Sequence, residues 1–142
     1  MNKKHQLIVW LFLSIIFLLS RLINSDLLPL FSDEAYVIAR AQEIWQTGDW
    51  LAMVKLTTQP IFIWWVAFFV KLPLDNVFAG RLVSALLGLI TALLIAWAAG
   101  KFIHPQAKWF AFFVMMLLPF PFFYDRTLLF ESGLLTWMTL AV

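Results

Sequence analysis

Residues 82–100 have the sequence LVSALLGLITALLIAWAAG, which carries no charge, and this stretch decides the fold. A helix that crosses a membrane needs about 20 consecutive apolar residues. Arg81 and Lys101 bound the stretch at its two ends. We therefore predict a membrane-spanning helix at about 79–100.

The amino-terminal segment is a second candidate span. Lys3 and Lys4 precede an uncharged run from Gln6 to Ser20. The small-residue cleavage site that would end a signal peptide does not follow it. We therefore expect an uncleaved anchor at about 7–25, with Arg21 extending to the membrane interface.

Two further spans are expected at about 108–124 and 128–142. Pro119 and Pro121 lie near the end of the first, where proline should kink or break the helix. The expected fold class is all-α, a polytopic transmembrane helix bundle. Since the chain is still apolar at Val142, we expect residues 1–142 to be the N-terminal part of a larger membrane protein or a natural truncation of one.

Composition excludes several classes of protein. The 142 residues are 63% hydrophobic and 13% charged, whereas soluble domains average about half apolar and a quarter charged. A net charge of +2 provides no basic stripe for nucleic acid. The absence of cysteine excludes disulfides and thiolate chemistry. His5 and His104 have no further ligands at metal-binding spacing, so no metal site is predicted from them.

A short apolar segment, Ile61–Leu72, determines the predicted topology. Its twelve residues lie between two prolines, and a run of this length is more often interfacial than spanning. If it stays on one side, the amino terminus and the basic 101–108 loop are both cytoplasmic, as the positive-inside rule favours. Residues 26–78 then form one outer loop, in which positions 55 and 75 share a side.

Within the outer loop, which should carry amphipathic surface helices, we predict a helix with Ser32 as its N-cap and Gly48 as its end. Polar and apolar residues occupy opposite sides at helical spacing, which indicates a helix that lies on a membrane surface. The polar stripe comprises Asp33, Tyr36, Arg40 and Glu43, and the apolar side comprises Val37, Ile38, Ala41, Ile44 and Trp45. Four tryptophans should lie at headgroup level: Trp45, Trp50, Trp64 and Trp65.

Two polar clusters on the predicted outer side are candidate sites. Asp33 and Glu34 occupy the first turn of the surface helix, where the helix dipole favours anions. Asp125, Arg126 and Glu131 follow the proline-broken end of the third span. Each cluster also has a plain structural interpretation. Asp33 and Glu34 would only stabilise a helix start, and the second cluster would be a solvated turn with a local Asp125–Arg126 ion pair.

The order of motifs resembles the N-terminal part of the membrane glycosyltransferases of the protein O-mannosyltransferase and aminoarabinose transferase type. The resemblance covers nearly the whole chain, and the Asp-Glu-Ala-Tyr step after the first span is its most specific element. The motifs are LFSDEAY at 30–36, TGDW at 47–50, QPIFIWW at 59–65, FAGRLVSALLG at 78–88, and YDR at 124–126 followed by Glu131.

This resemblance implies a GT-C fold and a function. The enzyme would transfer a sugar from a polyprenyl (dolichyl or undecaprenyl) phosphate to a hydroxyl of a protein, lipid or glycan acceptor, by inverting displacement on the outer face. Asp33 would be the catalytic base, with Glu34 beside it. Arg126, Glu131, Lys55, Gln59 and Tyr36 would contact the phosphate or substrate. No cofactor is implied with certainty, and a divalent metal is left open.

The chain departs from the family at two positions. Gln59-Pro60-Ile61 stands where Lys-Pro-Pro is often found, so Lys55 is the candidate substitute for the missing cation. Glu131 stands where an aspartate is usual. A transporter is disfavoured because the predicted spans contain almost no ionisable residues. A non-catalytic membrane module or truncated paralogue stays open as the alternative.

Overall fold

The computed structural model describes residues 2–52, 54 and 59–141, and all regular structure in these ranges is helical. The all-α class is therefore confirmed. A short 3-10 turn, Ser25–Leu27, follows the first helix. The α-helices whose bounds the structure gives are α1 (Lys3–Leu22), α2 (Ser32–Thr47), α3 (Pro60–Val70), α4 (Asn76–Phe102), α5 (Ala107–Leu117), α6 (Pro119–Tyr124) and α7 (Glu131–Leu140). Lys55 lies outside the described residues.

Two segments of the described chain are long and apolar enough, by length and composition, to cross a membrane. These are Lys4–Leu27 and Asn76–Phe102. The third predicted span is instead divided into α5 and α6, because Leu118 adopts an extended conformation (ψ 128°) and Pro119 begins a new helix. The predicted proline break is thus confirmed. Each of α3, α5 and α7 has 10 or 11 residues and is about 16 Å long at 1.5 Å per residue.

The long helix α4 is the centre of the fold. Helices α1, α5, α7 and α3 all pack against it. In the first half of α4, Val83 and Leu87 belong to a hydrophobic core with residues of α2 and α3. In its second half, Ala92 and Ala96 belong to a separate hydrophobic core with residues of α1 and α5. One continuous helix therefore supports both groups of neighbours.

Helix α2 differs in two respects from the prediction. It ends at Gly48 as expected, with a left-handed φ of 72°, but its N-cap is Phe31, and Ser32 is already its first residue. Its apolar face is covered by protein, because α2 packs on α3 and Val37, Ile38, Ala41 and Ile44 are buried. The prediction of a helix whose apolar face lies on a membrane was wrong, since α3 supplies a closer apolar surface.

Candidate functional site

A buried ion pair between Glu34 and Arg81 holds the start of α2 against α4. Arg81 Nε donates to Glu34 Oε1 at 2.9 Å, and Arg81 Nη2 donates to Glu34 Oε2 at 2.8 Å. Both side chains are almost fully buried, at 2% and 0% exposed. This two-pronged geometry suits a planar guanidinium and a carboxylate. Arg81 also donates to the carbonyls of Ser25, Leu28 and Pro29, which fixes the segment between α1 and α2.

Glu34 also joins the two polar clusters that the sequence indicates. Its Oε1 accepts from the backbone N–H of Leu128 at 2.7 Å, and its Oε2 accepts from that of Phe31 at 3.0 Å. Burial alone would raise the pKa of Glu34. The hydrogen bonds from Arg81, Leu128 and Phe31 outweigh burial and hold the pKa below its usual value. Glu34 is therefore an ionised anchor with no acceptor capacity facing solvent.

Asp33, the adjacent acid, has the opposite environment. Its side chain is exposed and accepts a hydrogen bond from Ser32 Oγ at 3.4 Å. It lies in the first turn of α2, directly beside the anchored Glu34. The backbone position of Asp33 is thus fixed by its neighbour, while its carboxylate is exposed to solvent.

Arg126 lies on the carboxy-terminal end of α1. Its Nη1 donates to Ser20 O at 3.1 Å, and its Nη2 donates to Ile23 O at 3.1 Å and Asn24 O at 3.3 Å. The last carbonyls of a helix lack partners within the helix, so Arg126 caps α1. A guanidinium has five N–H groups, and these three bonds do not use all of them.

Arg21 and Asp125 form a second buried pair, which corrects two expectations. Arg21 is 0% exposed, so it does not extend to the interface. The guanidinium carbon of Arg21, Cζ, lies 4.2 Å from the Phe17 ring centroid and 4.5 Å from the Phe122 ring centroid. The partner of Asp125 is therefore Arg21, with Nε and Oδ2 3.6 Å apart, and the expected local Asp125–Arg126 pair is wrong.

The environment of Asp125 requires a very small residue on α4. A Cβ at Gly88 would overlap the Asp125 carboxyl group. Ser132 Oγ donates to Asp125 Oδ1 at 3.2 Å. Burial raises the pKa of Asp125 to about 7, although the charge of Arg21 opposes this shift.

The break before Pro119 explains why an arginine lies inside the bundle. Proline has no backbone N–H, so the carbonyl of Met115 loses the donor that a continuous helix would give it. Arg21 Nη2 donates to Met115 O at 3.3 Å and to Met116 O at 3.0 Å. Arg21 of α1 therefore caps α5, while Arg126 caps α1.

The remaining predicted site residues lie around the second cluster or apart from it. Glu131 is partly buried in the first turn of α7, and its Oε2 has no hydrogen-bond partner among the described residues. Gln59 lines an apolar groove of ≈ 400 Å³ together with Phe130 and Trp137. Gln59 therefore lies near the end of the 125–131 turn. Tyr36 is 43% exposed and contacts Arg40, whose Cζ lies 5.2 Å from its ring centroid.

The structure thus brings Glu34 and the 125–131 turn together and leaves Tyr36 on the exposed side of α2. Neither Arg81 nor Arg21 was predicted from the sequence as a partner of the acidic residues. Both stand at or near the end of an apolar run, where an arginine usually marks an interface. Within residues 2–52, 54 and 59–141, no three His, Asp or Glu side chains form a group that could hold a metal ion.

Comparisons with known proteins add no family to this geometry. No protein-family model, no curated protein and no solved structure matches the chain.

Proposed function

We propose that the chain is the N-terminal part of a polytopic membrane glycosyltransferase that uses a polyprenyl-phosphate-linked sugar. Asp33 is the general base that removes the proton of the acceptor hydroxyl. The leaving group is a lipid phosphate whose negative charge grows in the transition state, so a nearby cation stabilises it. Arg126 supplies that cation in this proposal, and Glu131 and Gln59 border the substrate.

One observation carries the proposal: the hydrogen bond from Leu128 N–H to Glu34 Oε1. It links the turn that contains Arg126 to the helix start that contains Asp33, although 94 residues separate the bonded pair. A displacement that needs a base and a cation requires both to be held near one another. The sequence resemblance supports the same two residues independently.

The proposed orientation places the amino terminus and the 101–108 loop in the cytoplasm and the site on the outer face. Contacts between Arg81 and Ser25 support a shared side for the two ends of the 26–75 segment, because they bring the end of α1 beside the start of α4. The positive-inside rule then favours the outer side for this segment. Helix α3, about 16 Å long, is too short to cross a hydrocarbon core of about 30 Å, and no helix continues it after Val70, whereas α6 continues the path of the chain directly after α5.

Labelling of single cysteines tests the orientation. The chain has no cysteine of its own, and Leu27, Leu74 and Ile103 are 76%, 42% and 79% exposed. In intact cells, we expect an impermeant thiol reagent to label Leu27→Cys and Leu74→Cys but not Ile103→Cys. Permeabilisation should make Ile103→Cys reactive. Labelling of only one of the first two variants in intact cells would contradict the proposed topology.

Substitution of Arg126 tests whether the chain belongs to an enzyme or is a non-catalytic membrane module. The capping of α1 by Arg126 is compatible with both. For the full-length protein, we expect Arg126→Ala to lower sugar transfer by about tenfold or more, equivalent to about 1.4 kcal/mol of transition-state stabilisation. Arg126→Lys should recover part of it, since an ammonium keeps the charge without the planar geometry. Transfer is measured at equal amounts of folded protein, so that a lower yield of folded protein is not counted as lost activity. Unchanged transfer in Arg126→Ala would leave the residue with only its capping role.

A further inference from the structure

An apolar groove runs along the last two turns of α4, at the end opposite the candidate site. Its volume is ≈ 660 Å³, and α4 and the end of α7 form its two walls. Leu94, Trp97 and Ala98 contribute the first wall, and Met138 and Leu140 contribute the second. Trp97 and Met138 are 58% and 60% exposed. From Leu94 to Phe102 the groove is about 12 Å long at 1.5 Å per residue.

A lysine lies at one end of this groove. The Lys101 side chain lines it, and Lys101 Nζ lies 4.7 Å from the Trp97 ring centroid and 5.0 Å from that of Phe102. Lys108 lies near the same end of α4, beside Gly100, where a Cβ would lie 3.1 Å from Lys108 Cβ. The groove therefore combines an apolar channel with one lining cation, Lys101, and a second lysine lies at the same end of α4.

No carboxylate side chain in the neighbouring sequence balances these cations. No Asp or Glu occurs between Asp75 and Asp125, and none occurs before Asp26. In the part of the chain that the structure describes, neither Lys101 nor Lys108 has a salt bridge. An anion from outside this chain is the complementary partner.

We propose that this groove binds an anionic phospholipid of the cytoplasmic leaflet, with its phosphate at Lys101 and an acyl chain beside Trp97. The charge complementarity selects the occupant, since an acyl chain alone would not need a lysine in the lining of the groove. Each lysine near an anionic membrane surface contributes about 1 kcal/mol of attraction. The site does not depend on sugar transfer; it requires only that α4 crosses the membrane as proposed.

Fluorescence quenching tests the site. The full-length protein is reconstituted in phosphatidylcholine vesicles that contain a minor fraction of lipid brominated on its acyl chains. The brominated lipid is either phosphatidylglycerol or phosphatidylcholine, and the Trp97 signal is the difference between the wild type and Trp97→Phe. We expect the brominated anionic lipid to quench Trp97 more strongly. Lys101→Gln should weaken this headgroup preference by about fivefold, the factor for one lysine.

Lys71→Gln is the matched control, because Lys71 Nζ lies 3.9 Å from the Trp45 ring centroid away from the groove. It should keep the full preference at Trp97. Equal quenching by the two headgroups would overturn the proposal in favour of non-selective lipid contact. No quenching of Trp97 by either lipid would overturn it in favour of a groove covered by protein. Failure of the protein to float with the vesicles would overturn membrane insertion as well, and flotation is measured separately.

Discussion

Asp33→Asn in the full-length protein is expected to lower the rate of sugar transfer by about 100-fold or more, within the range for loss of a general base. Asparagine keeps the size of aspartate and removes its ability to take a proton. Because Asp33 is exposed and the α2 start is held by Glu34, the folded structure should be unchanged. Turnover is measured with a polyprenyl phosphate sugar donor, and donor binding, measured separately, should be largely kept.

Asp26→Asn is the matched control for this experiment. Asp26 is also an exposed acid on the proposed outer side, and it lines a pocket with Asp75 and Arg81 that Asp33 does not line. It should keep wild-type turnover. If Asp33→Asn retains wild-type turnover as well, Asp33 has only its role at the helix start and the proposed mechanism has no base.

Arg81→Ala is expected to lower the free energy of unfolding by about 3–5 kcal/mol, the cost of leaving one charge of a buried pair without its partner. The substitution leaves Glu34 buried at 0% exposure and removes the donors to the carbonyls before α2. Arg40→Ala provides the comparison, because Arg40 and Glu43 form a partly exposed pair, 32% and 39% exposed. Loss of that pair should cost about 0–1 kcal/mol. Denaturant unfolding in detergent measures both, and equal costs would contradict the anchoring role of Arg81.

The same pair gives a pH dependence with a definite sign. The pKa of Glu34 is lowered in the folded protein from an ordinary value of 4.5. Its contribution to stability is therefore complete above that ordinary value and is lost as the pH falls through the lowered folded value. In Arg81→Ala this loss on acidification should be smaller, because the main hydrogen-bond donor that lowers the pKa has been removed.

Local sequence determined the helical elements and some of their ends. The uncharged run at 82–100 predicted the central part of α4, Pro119 predicted the break after α5, and Gly48 predicted the end of α2. Each of these features depends on a property of one residue or one run: length without charge, a missing N–H, or tolerance of a positive φ. Such properties act within a few residues and can be identified before the chain folds.

The partners of the charged residues were decided only by the tertiary structure. Glu34 pairs with Arg81 across 47 residues, and Arg21 donates to Met115 across 94. The sequence indicated Arg21 and Arg81 only as ends of apolar runs, and Glu34 as one of two similar acids beside each other. Which of the two acids becomes buried depends on which side of α2 meets α4 when the helices pack. A buried charge must then find a partner on a neighbouring helix, and no local pattern specifies which helix that is.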